Sequence, residues 1–373
     1  MNKVLTSALL KGLEAAKKVN KTMGKLSTDW VTVSVEGNTM TVNSVDFVNQ
    51  IILTIPVEES QDFLVGIAEL EKLVKAIKKF DLYTTFEFDG ENILISDGKK
   101  KLKLITVDKY DIKQVSKNNP FTVSGLILEN AYSKVKKSIA KEESRLILCG
   151  VHFKNNFIET IDGYRVSQIK ISQDYFNHDF IVHPKALEII LPVAKKDKLD
   201  VTIDISENRC VMTTGNKDYT LTVLGGLYEG EFLNTDRVFT DDYEYCLSFS
   251  ENKAIVSELE FIKDMTGVDS TTNKPLPIKY LIDENKLTIS SDKETTTSEV
   301  EFDKAEGYFK DTFKIAFNPN YMLDAIKNIS GAFTMQFISH LTPCIIKNEE
   351  ERYLVLPVRM TYINQNINQN KYI

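Results

Sequence analysis

Histidine, cysteine and arginine are scarce in this 373-residue chain, and tryptophan occurs once. The four cysteines (Cys149, Cys210, Cys246, Cys344) lie far apart and form no CxxC pair, which excludes a disulfide framework and predicts reduced, buried thiols. The four histidines (His152, His178, His183, His340) stand at neither HxxxH nor HExxH spacing, so no metal site is expected. GxSxG, P-loop and GxGxxG motifs are missing, and no cofactor is expected. No run approaches the ~20 apolar residues of a membrane helix. The first residues, MNKVLTSALLKGLEAAKKVNK, interrupt their apolar positions with charge, unlike a secretory leader, so the expectation is a soluble, cytoplasmic protein. Positive charge is also in deficit: 53 acidic against 46 basic residues give a net −7, at first sight against a nucleic-acid partner.

What is present is ordinary globular composition, 42% hydrophobic and 27% charged, and an internal repeat. A Phe, a short strand-like stub and an amphipathic helix recur from Phe63, Phe180 and Phe313, spaced 117 and 133 residues apart. After each helix come alternating apolar stretches broken by polar turns, at 83–105, 199–224 and 333–358. Ahead of each lies another helix, at about 5–21, 124–141 and 249–266, and then a hairpin turning at Glu36-Gly37-Asn38, Asn155-Asn156 or Asp283-Glu284-Asn285. The pattern predicts an α+β fold of three repeated domains, each with two helices and antiparallel sheets. Polar segments place the boundaries at 1–119, 120–241 and 242–360, with a polar tail at 361–373.

Charge is segregated along this pattern. In the helix at 67–80, Ile67, Leu70, Leu73, Val74 and Ile77 form the apolar stripe, with Lys72, Lys75 and Lys79 opposite. In the first helix Leu9, Leu10, Leu13 and Val19 are read as inward, and Lys11, Lys18 and Lys21 as outward. Segments 6–25, 67–80, 124–141 and 184–198 carry +4, +2, +3 and +2; segment 249–266 carries −2 and segment 318–331 is neutral. The six sum to +9 and leave −16 elsewhere. Lysine favours any solvated helix face, so one basic helix would mean little. Four of six in an acidic chain make a phosphate-facing surface an equal reading.

Segments Glu143–Phe153 (ESRLILCGVHF), Ile161–Val166 (IDGYRV), Glu229–Phe232 with Arg237-Val238, Phe317–Ile326 (FNPNYMLDAI) and Tyr353–Met360 (YLVLPVRM) occur in order along the chain. Together they resemble the bacterial DNA polymerase III β subunit, the sliding clamp, in a Gram-positive-like form. The resemblance implies a head-to-tail ring dimer that encircles double-stranded DNA without reading sequence, as a processivity factor. Its partners would be the replicative polymerase, the clamp loader and other proteins with clamp-binding peptides. It implies DNA-facing lysines at Lys11, Lys18, Lys21, Lys25, Lys72, Lys75, Lys79, Lys137 and Lys196. It implies a partner-peptide pocket from Leu148, Gly163, Tyr164, Arg165, Val166, Arg237, Val238, Asn318, Tyr321, Leu354, Leu356, Pro357, Val358, Arg359 and Met360. Apolar side chains would bury the peptide, and Arg165 and Arg359 would orient it. Taken singly, Leu148, Val166, Val238 and Leu354 read equally well as core residues.

The chain departs from the family pattern at several places. Leu233 stands where proline is usual, Leu356 and Val358 replace methionines, and Ile161 replaces a threonine. Leu146-Ile147 replaces an aromatic pair. Beyond the C-terminal signature the tail offers Tyr362, Ile363 and Ile367, which could fold back over the pocket, against the plainer reading of a disordered polar tail. No catalytic role is assigned to any residue: Asp162 beside Arg165 fits the IDGYR turn better than an active site. The competing reading is a three-domain protein-binding scaffold that never encloses DNA.

Overall fold

Apolar stripes of the sequence become buried helix faces. The computed structural model describes residues 2–20, 30–58, 61–107, 120–171, 179–206, 208–283, 286–293, 296–302, 306–308 and 312–359. Helix α1 spans Thr6–Asn20, α2 Leu70–Ile77, α3 Gly125–Val135, α4 Pro184–Asp197, α5 Lys253–Thr266 and α6 Pro319–Asn328. On α2, Leu70, Leu73, Val74 and Ile77 are buried while Lys72, Lys75 and Lys79 are exposed. Ile67, read from the sequence as the first residue of this stripe, belongs instead to strand Phe63–Ala68, opposite Val31. On α1, Leu9, Leu13 and Val19 are buried. Lys11 and Lys18, read as outward, are instead half-buried and engaged with neighbouring side chains and backbone.

The Phe-stub-helix motif has a physical basis in the second and third repeats. His183 and Asn318 cap α4 and α6, accepting from the backbone N–H of Lys185 (3.2 Å) and Asn320 (2.9 Å). Each is followed by proline at the first helical position, where the missing N–H costs nothing. The first repeat has neither device. Its α2 starts after Glu69 in the left-handed region, without a side-chain cap, and is the shortest of the six.

By internal contacts the chain divides into two compact units: Met1–Ser133, Glu142–Asn156 and Ile171–Glu231 form the first; Lys134–Lys141, Phe157–Lys170 and Phe232–Ile373 the second. In the first, a 12-stranded sheet runs from Asn2–Leu5 through Tyr83–Phe88, Asn92–Ser96, Lys101–Val107, Phe63–Ala68, Trp30–Glu36, Thr39–Val45 and Gln50–Pro56. It continues through Tyr219–Gly226, Arg209–Asn216 and Asp200–Ser206 to Phe121–Ser124. The seam between the first and second repeats is therefore ordinary sheet: Gln50–Pro56 pairs antiparallel with Tyr219–Gly226, Leu53 opposite Leu221. Across the same seam Lys11 bridges Asp197 at 2.9 Å, and the Tyr219 hydroxyl donates to the same carboxylate at 2.6 Å.

In the second unit, strands follow the order Phe157–Ile161, Arg165–Lys170, Glu351–Val355, Cys344–Lys347, Phe333–Phe337, Tyr245–Phe249 and Glu306–Tyr308. A second sheet orders Thr296–Phe302, Lys286–Lys293, Ile278–Asp283 and Phe313–Phe317. Helices α5 and α6 pack together, and Tyr280, Phe317 and Phe337 are fully buried in this core. The hairpin stretches expected at 83–105, 199–224 and 333–358 each form three antiparallel strands. Cys210, Cys246 and Cys344 are buried free thiols; Cys149 is half-buried and free.

Candidate functional site

Strand alternation decides what Arg165–Lys170 can do, because successive side chains point to opposite faces. Arg165 and Ser167 face the α3 and α6 ends, where the Ser167 and Ser138 hydroxyls meet at 2.7 Å. Val166 and Gln168 face the other way. The adjacent pair in the sequence therefore serves two different surfaces.

On the helix side Arg165 is the hub. Its Nε donates to Asp162 Oδ2 at 2.9 Å and its Nη1 to Asp324 Oδ2 at 2.8 Å, and its Nη2 donates to the carbonyl of Lys137. The guanidinium lies 4.4 Å from the Tyr321 ring centroid, and Tyr321 stacks on exposed Tyr164 at 6.1 Å. Asp162 also accepts from the backbone of Tyr164 and Arg165, which closes the turn. Gly163 occupies that turn at φ +87°, a conformation that side chains disfavour. Asp324 is shared: its other oxygen takes the Lys137 ammonium at 2.6 Å. Behind it, Lys134 donates to the buried Glu351 carboxylate at 2.6 Å and to Ser330 at 2.8 Å. Tyr353 donates to Glu351 at 3.1 Å, and burial pushes its phenol far up. These groups surround a space of only about 10 Å³, the scale of one water.

On the opposite face Val166 sits across from Leu354, both buried. Gln168 donates to buried Glu159 at 2.9 Å, and Thr235 donates to the same oxygen at 2.7 Å. This network pins the short turn Thr235–Arg237 onto the sheet. Lys347 ties Asp241 down farther along, holding its carboxyl below the usual range. Val238 follows the turn and stays exposed. The chain end runs past it: the Leu356 N–H donates to the Tyr164 carbonyl at 2.9 Å and the Val358 N–H to Ala316 at 2.8 Å. Tyr164, Val238, Leu356 and Val358 are each more than a third exposed. Arg237 and Arg359 are exposed and form no salt bridge among the described residues.

Of the expected pocket residues, Gly163, Tyr164, Arg165, Val166, Arg237, Val238, Asn318, Tyr321, Leu354, Leu356, Pro357, Val358 and Arg359 fall in the second unit. Leu148 falls in the first unit, in the 3-10 stretch Glu143–Cys149, and Met360 lies outside the described residues. The sequence reading missed Asp324, Lys134, Glu351 and Glu159. Asp324 stands three residues after Tyr321 on α6, a spacing that puts both on one helix face.

Among the lysines, Lys75, Lys79 and Lys196 are exposed and form no salt bridge among the described residues. Lys72 is exposed and pairs with Glu69 at 2.8 Å. Lys18 has a different occupation. Pro192 inside α4 lacks the N–H that would bond the Glu188 carbonyl, and the Lys18 ammonium donates to that carbonyl at 2.7 Å instead. Burial lowers the Lys18 pKa. Lys21, Lys25 and the tail residues Tyr362, Ile363 and Ile367 lie outside the described residues.

Residues 249–360 match the family described as DNA polymerase III beta subunit, C-terminal domain. A beta sliding clamp from Staphylococcus aureus is 24% identical over 333 residues, 82% of this chain and 85% of that protein. One from Streptococcus pneumoniae is 24% identical over 291 residues, 73% of this chain and 74% of that protein. The DNA polymerase sliding clamp of Bacillus subtilis superposes with a TM-score of 0.85 at 17% identity, covering 96% of this chain and 99% of that one. The DNA polymerase III beta subunit of Thermotoga maritima gives 0.83 at 20% identity, over 96% and 99%. At such identities the structural likeness speaks for the fold, while the family match and the clamp relatives speak for descent. Joined to the repeat and to the Arg165–Tyr321 site, they place this chain in the bacterial DNA polymerase III β-subunit family, the sliding clamps.

Proposed function

We infer that this chain is a DNA sliding clamp: two copies close head-to-tail into a ring around duplex DNA and tether a polymerase and other partners. The role is to enclose and tether, not to catalyse, and its place is the cytoplasm. The observation that carries the reading is the clamp fold over 96% of the chain combined with basic, exposed helix faces in a chain of net −7. Enclosure supplies retention, so the DNA contacts can be weak and salt-screened. Lys75, Lys79 and Lys196 are the inner lysines freest to meet phosphate; Lys72 follows, while Lys11 and Lys18 are held by Asp197 and the Glu188 carbonyl.

Partner peptides dock on the face of the second unit that carries Val238, Leu356, Val358 and Tyr164, with Val166 and Leu354 as its buried floor. Arg237 and Arg359 flank it, and Arg165 with Tyr321 marks its edge.

Two surfaces fit the contact between copies. In the first unit Leu82, Ile105 and Val107 are exposed beside a basic run, Lys99, Lys100, Lys101 and Lys103. In the second, α5 exposes Phe261 and Met265 among Glu258, Glu260 and Asp264. Both are apolar, and their charges are opposite. The acidic helix that broke the basic pattern is thereby explained as an edge that meets protein. A two-fold axis repeats the contact and closes the ring, leaving no end to grow from.

The deciding experiment loads the protein onto nicked circular DNA and then linearises the circle. Retention on circles and release from linear ends supports a ring. Equal behaviour on both, or failure to load with an active loader, favours the scaffold reading.

A further inference from the structure

We propose that Asp324 couples the peptide site to the DNA-facing surface, so that each ligand weakens the grip on the other. This rests on the sliding-clamp reading, because it takes Lys137 as a DNA contact and Arg165 as a peptide contact. The observation is one carboxylate shared between two cations of different duty. Asp324 Oδ2 holds Arg165 at 2.8 Å and Oδ1 holds Lys137 at 2.6 Å. All three residues belong to the second unit.

The two cations differ in how far a ligand can reach them. The Lys137 side chain is 48% exposed, and the Arg165 side chain is 12% exposed. Arg165 is further fixed by Asp162, by the Lys137 carbonyl and by the Tyr321 ring. Lys137 is thus the mobile partner. A DNA phosphate that draws the Lys137 ammonium away leaves the whole Asp324 charge to Arg165. The guanidinium is then held harder and donates less readily to a docked peptide.

The reverse step follows by linkage. A peptide acceptor that engages Arg165 leaves Asp324 to Lys137, and Lys137 gives up phosphate. A clamp carrying a partner would then hold DNA with one fewer lysine per chain and move along it with less drag. The enclosing ring makes this loss harmless, since retention does not depend on Lys137.

Further groups limit the effect to this carboxylate. The neighbouring lysine, Lys134, is committed to Glu351 and Ser330 and has 11% of its side chain exposed. The Asn328 side chain donates to the Lys134 carbonyl at 3.2 Å and pins the same turn. The segment Lys134–Ser138 therefore stays in place while the Lys137 side chain swings.

The test is a binding cycle on the full-length protein at low salt. A fluorescent peptide with an apolar end is titrated with and without a saturating short duplex, by anisotropy. For the wild type the peptide affinity should fall roughly 2- to 5-fold with duplex, the range of a part-exposed ion pair. Asp324→Asn should remove the dependence on duplex. Lys137→Ala should bind peptide as weakly without duplex as the wild type does with it. A wild type that binds both ligands with no linkage overturns the coupling and leaves the clamp reading intact. Linkage that persists in Asp324→Asn assigns it to another path and also overturns the proposal. A wild type that binds neither peptide nor duplex overturns the clamp reading and the coupling together. Circular dichroism of each variant separates lost linkage from lost fold.

Discussion

A single missing N–H organises one corner of the first unit. Pro192 leaves the Glu188 carbonyl without its helical partner, and Lys18 supplies the donor. Lys18→Met should therefore destabilise the protein by about 1 kcal/mol, the net worth of one hydrogen bond. Lys18→Met made together with Pro192→Ala should recover part of it, because the helix then bonds that carbonyl itself. Urea midpoints of the three variants measure both effects. Acid behaviour is set at turns. The backbone N–H groups of Asn92 and Glu91 hold the Asp89 carboxyl down at about 2, against an ordinary 3.8. A carboxyl held low in the folded state stabilises fully above its unfolded value and loses that contribution as protons bind. The Asp89 share is thus complete above pH 3.8 and fades toward pH 2. Asp89→Asn keeps the acceptor without titrating, and its stability should change less across that window than the wild type's.

At the scale of elements, the prolines that open α4 and α6 make those helices legible from their residues alone. Period-3.6 apolar spacing does the rest, and it overruns only where strand Phe63–Ala68 feeds α2 with the same residue types. Hairpins are legible for the same reason: polar turns at fixed distances between alternating apolar residues. What pairs with what is not, since Gln50–Pro56 meets Tyr219–Gly226 across two repeats and nothing local marks it. The site is legible in Arg165 and Tyr321 through their motifs. Asp324, Lys137 and Glu351 are not marked as its partners, because contacts such as Lys134 to Glu351 span 217 residues. Strand alternation also splits Arg165 from Val166, which adjacency in the sequence joins. One prediction belongs here. Asn318→Ala should lower stability by about 1 kcal/mol through loss of the α6 cap. Asn318→Asp should restore stability, so a peptide-affinity loss seen in both variants would mark a direct contact by the amide.

For the whole molecule, charge is the property that changes meaning. A net of −7 is the sum of basic helices and acidic remainder, and a ring can be basic within and acidic without. Glutamate at Lys75, Lys79 and Lys196 should shorten retention on circular DNA steeply at low salt and leave the dimer intact, checked by light scattering. Aspartate at Phe261 and Met265 should do the opposite, giving a 42.4 kDa monomer with unaltered peptide binding. The two sets separate a charge effect in the hole from a broken edge.

The sheet that runs unbroken from the first repeat into the second also sets a clock on synthesis. Strand Gln50–Pro56 leaves the ribosome early, and its partner Tyr219–Gly226 follows 163 residues after Pro56. At ~5–20 residues per second the wait is roughly 8–30 s. Through that interval the first repeat presents an open β edge carrying Ile51, Leu53 and Ile55, a template for pairing with another nascent chain. A fragment ending before Tyr219 should accordingly aggregate where the whole chain stays dispersed. Slow translation through the second repeat should lower the yield of folded protein more than slow translation through the third.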